Sequence, residues 1–309
     1  MSEVLINAQG LTKRYGAFTA VDNLHLQIEE GEVFGFLGPN GSGKSTTILM
    51  LLGLTEPSEG QAQVCGFDPF REPLQVKRQI GYLPESVGFY NDLTGKENLL
   101  YMASLNSIGR NEADSKAASL LKMVELTGAK DQLVGQYSRG MKQRLGLAEV
   151  LMKDPRLVIL DDPTLGLDPT GVQWLLQLIQ EMSSLRKIAI FISSHQLHEV
   201  QRICHRVGIM SHGQMVLQGT MDEVIAQDET SGYTFELEFS GGRELAKAVT
   251  SIEGITASEG GTGRLQVEAD RDVRQELLNL LSEKGARLLE LRSHNNTLED
   301  IYLRYFQEN

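Results

Sequence analysis

The eight residues Gly38-Pro39-Asn40-Gly41-Ser42-Gly43-Lys44-Ser45 fit the spacing G-x-x-x-x-G-K-S. They follow an apolar run at 33–37 and precede a helical pattern at 44–54. That context predicts a loop that wraps a chain of phosphates. Gly38, Gly41 and Gly43 let backbone N–H groups turn inward around phosphate oxygens. The helix that follows adds the positive end of its dipole. Lys44 brings a point charge to the terminal phosphates, and the Ser45 hydroxyl is a ligand for Mg²⁺. Pro39, Asn40, Ser42 and Thr46 complete the expected phosphate-binding stretch. A second run, Leu157-Val-Ile-Leu160, ends in Asp161-Asp162. A buried strand there would deliver Asp161 to a hard cation. Asp162 would then orient or deprotonate an attacking water. The two segments together predict a site for a nucleoside triphosphate and Mg²⁺.

Such residues need a sheet to hold them, and the chain has one. Its 309 residues are enough for two domains. Hydrophobic residues at 41% and charged residues at 23% are ordinary globular usage. Strand patterns at 4–9, 24–28, 33–37, 156–161 and 187–193 alternate with helical ones, which reads as α/β. A mostly helical stretch at 93–153 looks like an insertion between strands. Segments 207–210 and 214–217 flank His212-Gly213 and read as a hairpin. Composition shifts at 226–232, which reads as a linker. The expected domains are 1–228, with a helical subdomain at about 86–153, and 229–309. In the second, the order strand 233–239, helix 243–252, strand 255–258, strand 264–268, helix 270–284 and strand 286–291 is βαββαβ, a ferredoxin-like arrangement. A last helix is expected at 298–306, capped by Thr297.

Several function classes drop out. The formal net charge of -12 argues against nucleic acid held through a basic surface and against direct adhesion to anionic lipid. Cys65 and Cys204 have no metal or redox spacing. The opening MSEVLINAQG has no basic region followed by an apolar stretch, so no signal peptide is expected. Apolar runs are far shorter than the roughly 18 residues of a spanning helix. A role at a membrane would therefore need a partner.

Five elements occur in one order: the phosphate loop, Tyr137-Ser-Arg-Gly-Met141, Asp161-Asp162-Pro-Thr164, Leu165-Gly-Leu-Asp168 and Ser194-His195. In this the chain resembles the ATP-binding-cassette ATPases over about residues 1–225, especially cassettes that serve ABC-2-type exporters and permeases. The resemblance implies a P-loop ATPase fold with a mixed sheet core, binding ATP and Mg²⁺. It implies a partnership with a membrane permease at the cytoplasmic face of the membrane. It also implies pairing with a second copy of the chain or a homologous ATPase subunit, with no nucleic acid involved. Tyr15 matches the aromatic that stacks on adenine. Ser138 and Gly140 match the signature that points at the γ-phosphate held by the opposing subunit, and Asp168 the loop that meets the dimer seam. His195 matches the switch histidine. Glu85, in Ile80-Gly-Tyr-Leu-Pro-Glu85, stands where a glutamine commonly binds Mg²⁺ and senses the γ-phosphate. Lys44, Glu85, Asp162 and His195 are thus the expected catalytic groups, and Ser45, Asp161 and Glu85 the expected metal ligands. The stretch 85–105, with Phe89, Tyr90 and Tyr101, is expected to dock the permease. Three departures stand out. Asp162 replaces the usual glutamate and is one methylene shorter, Glu85 replaces glutamine, and Tyr137–Met141 lacks the usual Leu and second Gly. The shorter carboxylate leaves a slow nucleotide-gated clamp as an alternative, and a cassette that does no transport is another.

Overall fold

The computed structural model describes residues 2–195, 201–227, 233–241, 245–261 and 263–294. The chain divides into two compact units, Met1–Met221 and Asp222–Asn309.

The first unit contains β1 (Val4–Tyr15), β2 (Phe18–Glu29), β3 (Val33–Leu37), α1 (Lys44–Leu51), β4 (Glu59–Val64), α2 (Pro73–Gln79) and β5 (Ile80–Leu83). The helices α3 (Gly95–Leu105), α4 (Arg110–Met123) and α5 (Arg139–Val150) follow. Then come β6 (Leu157–Asp161), α6 (Pro169–Arg186), β7 (Ala189–Ser194), β8 (Arg206–Ser211) and β9 (Gln214–Thr220). A short helix, α7 (Met221–Gln227), starts at the division between the units. The division thus falls at the head of a helix, ahead of the composition shift, and Ala226 and Gln227 are helical rather than linker.

A six-stranded sheet has the order β5-β6-β7-β3-β8-β9, parallel except for β9. Strands β3, β6 and β7 are almost wholly buried, as continuous apolar runs in a sheet covered on both faces should be. On one face, Phe34, Phe36 and Phe191 meet Leu24, Ile28 and Ile48. This core lies against the antiparallel sheet β2-β1-β4. On the other, Val33, Leu160, Ile190 and Ile192 meet Leu99, Leu121, Leu147 and Ile179 of the helices. The alternation along each strand thus feeds two separate cores.

Register does the positioning. Asp161 pairs with Ser193, and Leu37 with Ser194. The parallel strands therefore release the phosphate loop, the acidic pair and His195 at one edge, the carboxyl end where α/β sheets bind ligands. Three helices that flank this edge have side-chain caps. Thr94 and Glu97 form a reciprocal capping box on α3. Ser138 caps α5, and Asp168 caps α6 with Pro169 behind it.

The second unit runs β10 (Tyr233–Ser240), α8 (Leu245–Val249), β11 (Ile255–Gly261), β12 (Arg264–Ala269), α9 (Arg274–Glu283) and β13 (Arg287–His294). Its sheet is antiparallel in the order β11-β12-β10-β13. Phe235, Leu237, Phe239, Leu265 and Val267 face a core closed by Leu277 and Leu281 of α9. The first helix ends at Val249, before the 252 expected, and 243–244 lie outside the described residues. The helix expected at 298–306 and its cap Thr297 lie outside the described residues, as does 228–232.

Candidate nucleotide site

The phosphate loop is built on a backbone that rejects side chains. Gly43 has φ +108°, and a Cβ there would lie 2.5 Å from the carbonyl oxygen of Ala20. Only glycine meets both conditions. The loop then enters α1, whose first residue is Lys44. The Lys44 side chain is buried, and Nζ donates to the carbonyls of Gly38 (2.6 Å) and Pro39 (2.9 Å). Burial lowers the Lys44 pKa, while Asp162 and Asp161 act to raise it. Ser45, Thr46, Asn40 and Gly41 line a cavity of about 230 Å³ together with Lys44, Glu85, Asp161 and Asp162.

Asp161 ends β6 and accepts a hydrogen bond from Ser193 Oγ on the neighbouring strand. Burial raises its pKa; the Ser193 bond opposes that rise, Asp162 and Glu85 add to it, and Lys44 opposes it. Three carboxylates and a hydroxyl around one cavity form an all-oxygen donor set, which suits Mg²⁺. Among the described residues no cluster of three His, Cys, Asp or Glu could hold a metal by itself. A magnesium ion here would therefore need phosphate oxygens and water to fill its octahedron, which is its habit beside triphosphates.

Asp162 sits in the left-handed region at φ +44°, which aspartate tolerates better than most residues. Its N–H donates to the Ser193 carbonyl at 3.0 Å. Its Oδ1 accepts from the backbone N–H of His195 (3.2 Å) and stands 2.8 Å from His195 Nδ1. A carboxylate only accepts, so Nδ1 carries the hydrogen. The ring is then oriented with Nε2 as its outward nitrogen. The short side chain thus reaches His195 directly.

Other expected residues lie elsewhere. Ser138 Oγ accepts from Met141 N at 3.2 Å, and Asp168 Oδ1 from Gly171 N at 2.9 Å, so within one chain both are helix caps. The two segments touch each other. A Cβ on Gly166, at φ +77°, would meet the Arg139 guanidinium at 2.5 Å, and Gly140 faces Leu167. Buried Gln143 on α5 donates to the Pro163 carbonyl at 3.0 Å, tying that helix to the loop after the acidic pair. Neither Ser138, Gly140, Asp168 nor Tyr15 lines the phosphate cavity, whereas Phe18 does. Phe18 was not singled out from sequence. Its signal was the hairpin itself, since Gly16-Ala17 makes a two-residue turn that sets Phe18 opposite Tyr15.

A family profile described as ABC transporter matches residues 21–165. The chain is 36% identical to the bacitracin transport ATP-binding protein BcrA of Bacillus licheniformis, over 97% of this chain and 96% of that one. The chain belongs to the ABC transporter ATP-binding proteins. A solved ATP-binding subunit of an ABC transporter superposes with a TM-score of 0.67 at 30% identity, covering 72% of this chain and 92% of that one. The cassette MJ0796, solved as a dimer after hydrolysis with ADP and phosphate bound, has the same fold. Its TM-score is 0.64 at 24% identity, over 70% of this chain and 98% of that one. As an ABC cassette, this chain is an ATPase.

Proposed function

We propose that the chain is the ATP-hydrolysing subunit of an ABC-2-type exporter, working as a pair of cassettes on a separate membrane permease at the cytoplasmic face. The observation that carries the catalytic part is the assembly of Lys44, Ser45, Glu85, Asp161 and Asp162 around one cavity, with His195 bonded to Asp162. In this reading the loop amides and Lys44 hold the triphosphate. Ser45, Asp161 and Glu85 hold Mg²⁺, which supplies charge neutralisation on the phosphate oxygens when bound. Asp162 fixes the His195 ring and, with it, the attacking water. Ser138, Gly140 and Asp168 lie apart from the cavity of their own chain, which fits a role toward ATP on an opposing cassette.

Among the described residues no helix is long and apolar enough to cross a membrane. The stretch 85–105 supports docking. Tyr90 and Tyr101 are 55% and 39% exposed and meet edge to face, with ring centroids 4.9 Å apart. Buried Asn98 fixes that pair, accepting from Tyr90 N at 3.0 Å and donating to Tyr90 O at 3.1 Å. Exposed aromatics on a rigid platform are typical interface anchors. Bacitracin transport in the relative favours export of an antibiotic or a comparable amphiphile. The second unit is read as a ferredoxin-like accessory domain on the strength of its strand order, with its first strand at Tyr233.

The test is phosphate release from Mg-ATP by the chain purified with its membrane partner. Turnover near one per second, with ATP-dependent dimerisation of the cassettes, is expected. ATP binding without release above background would overturn the turnover reading in favour of the clamp.

A further inference from the structure

Strand β7 is apolar from Ala189 to Ile192 and then sets Ser193, fully buried, beside the two acids. In the parallel register Ser193 lies between Phe36 of β3 and Asp161 of β6. The Phe36 ring carries no oxygen to accept a hydrogen bond, and the Ser193 hydroxyl donates to Asp161 Oδ1. The Ser193 carbonyl accepts from Asp162 N at 3.0 Å. One residue thus holds both acids, the first through its side chain and the second through its backbone.

These bonds give each acid a separate direction. Asp162 Oδ1 is engaged by His195. Asp161 Oδ1 is engaged by Ser193, and among the described residues nothing donates to Asp161 Oδ2. Asp161 lines the cavity with Ser45 and Glu85, so Oδ2 is the oxygen left for a cation. Packing alone does not call for a hydroxyl here. An alanine would fill a buried strand position beside a phenyl ring without the cost of burying a polar group.

We propose that Ser193 is a positioning residue for the metal: its hydroxyl occupies one oxygen of Asp161, so that the carboxylate meets Mg²⁺ through the other. The proposal rests on the Mg-ATP reading above. One-oxygen coordination suits Mg²⁺, which demands a near-ideal octahedron. It suits Ca²⁺ less, because that larger ion also accepts both oxygens of one carboxylate. Ser193 would therefore set the preference for the smaller cation as well as the strength of its binding.

The experiment is calorimetric binding of ATP to the full chain in EDTA, in Mg²⁺ and in Ca²⁺, for the parent and its Ser193→Ala, Ser193→Cys and Ser193→Thr forms. The affinity that Mg²⁺ adds should fall by about 10- to 100-fold in Ser193→Ala, the range for losing a group that orients a metal ligand. Affinity in EDTA should stay unchanged. The affinity that Ca²⁺ adds should fall less, which narrows the preference for Mg²⁺. Ser193→Cys fills the position with a weak donor and should behave as the alanine form, which separates the lost donor from lost packing. Ser193→Thr keeps the hydroxyl and should keep the parent's preference. An unchanged Mg²⁺ gain in both Ser193→Ala and Ser193→Cys would overturn the proposal. So would equal losses in EDTA and in Mg²⁺, which would mean a disturbed phosphate loop, or equal falls for Mg²⁺ and Ca²⁺. A parent chain that binds ATP no better with Mg²⁺ than in EDTA would overturn the metal reading itself, and this inference with it.

Discussion

The phosphate-loop edge of the first unit and the sheet of the second treat their charged groups in opposite ways. In the first, the parallel sheet gathers Lys44, Asp161, Asp162 and Glu85 at one edge, and burial pulls the Lys44 and Asp161 pKa values toward neutrality. Such groups are held in unfavourable surroundings by the fold around them and are completed by a ligand. In the second, charges stand on the exposed face of an antiparallel sheet and satisfy one another. Arg264 pairs with Glu238 across β10 and β12, and Arg292 with Glu290 along β13. The Arg292 guanidinium holds the Glu290 carboxyl below its ordinary range. The lesson is that the number of charges says little about chemistry. What matters is whether the fold leaves them something to do.

Substitutions can break that contrast. The largest effect is expected from Lys44→Ala, which removes the charge that the proposed function assigns to the phosphates. Phosphate release should fall by at least about a hundredfold and ATP affinity with it. Asp162→Asn comes next. It keeps the size of the side chain but removes the charge paired with His195. Release should fall by about a hundredfold while ATP binding persists, measured by single-turnover kinetics.

A smaller effect sharpens the contrast from within the first unit. Glu149, beside Lys153 on the far end of α5, has its carboxyl pushed up to about 7 by burial, with Lys153 opposing the shift. A carboxyl pKa raised in the folded state favours the protonated form. The stability it contributes is complete below its unfolded value near 4.5 and is lost as pH rises through about 7. Glu149→Gln should therefore raise the melting temperature at pH 8, by about 1 kcal/mol of stability, and leave it unchanged at pH 4.5. The gain stays below the full value of the shift because Glu149 is only partly buried and water screens the penalty. The smallest effect belongs to the second unit. Arg264→Ala breaks an ion pair whose side chains are largely in water, so stability should change by less than about 0.5 kcal/mol and turnover not at all.

Legibility in the sequence followed the same divide between local and distant causes. The phosphate loop and the Asp161-Asp162 turn were readable because their chemistry is written in consecutive residues. The buried runs of β3, β6 and β7 were readable because burial on both faces demands unbroken apolar stretches. β4 was missed because Glu59–Val64 is polar and has no alternation strong enough to announce itself; its pairing with β1 makes it a strand. β5 has four residues, too few for a period. α6 was overlooked although Asp168-Pro169 is a good helix start and Leu175, Leu178, Ile179 and Met182 share a buried face. Phe18 and the Asp162–His195 bond depend on which strand lies beside which, and spacing along the chain does not carry that.

The sheet order has a consequence for how the protein comes to exist. β3 feeds the phosphate loop, yet its neighbours are β7 and β8, with Val33 beside Ile190 and Phe34 beside Arg206. On the ribosome the strand leaves the exit tunnel long before either neighbour has been synthesised. An apolar strand with both edges open is a hazard for misassembly during that interval. Nucleotide cannot rescue the nascent chain, because the loop has no firm base until β7 and β8 arrive. The cell's need to shield Val33–Leu37 during synthesis is therefore built into the same topology that makes the finished site rigid.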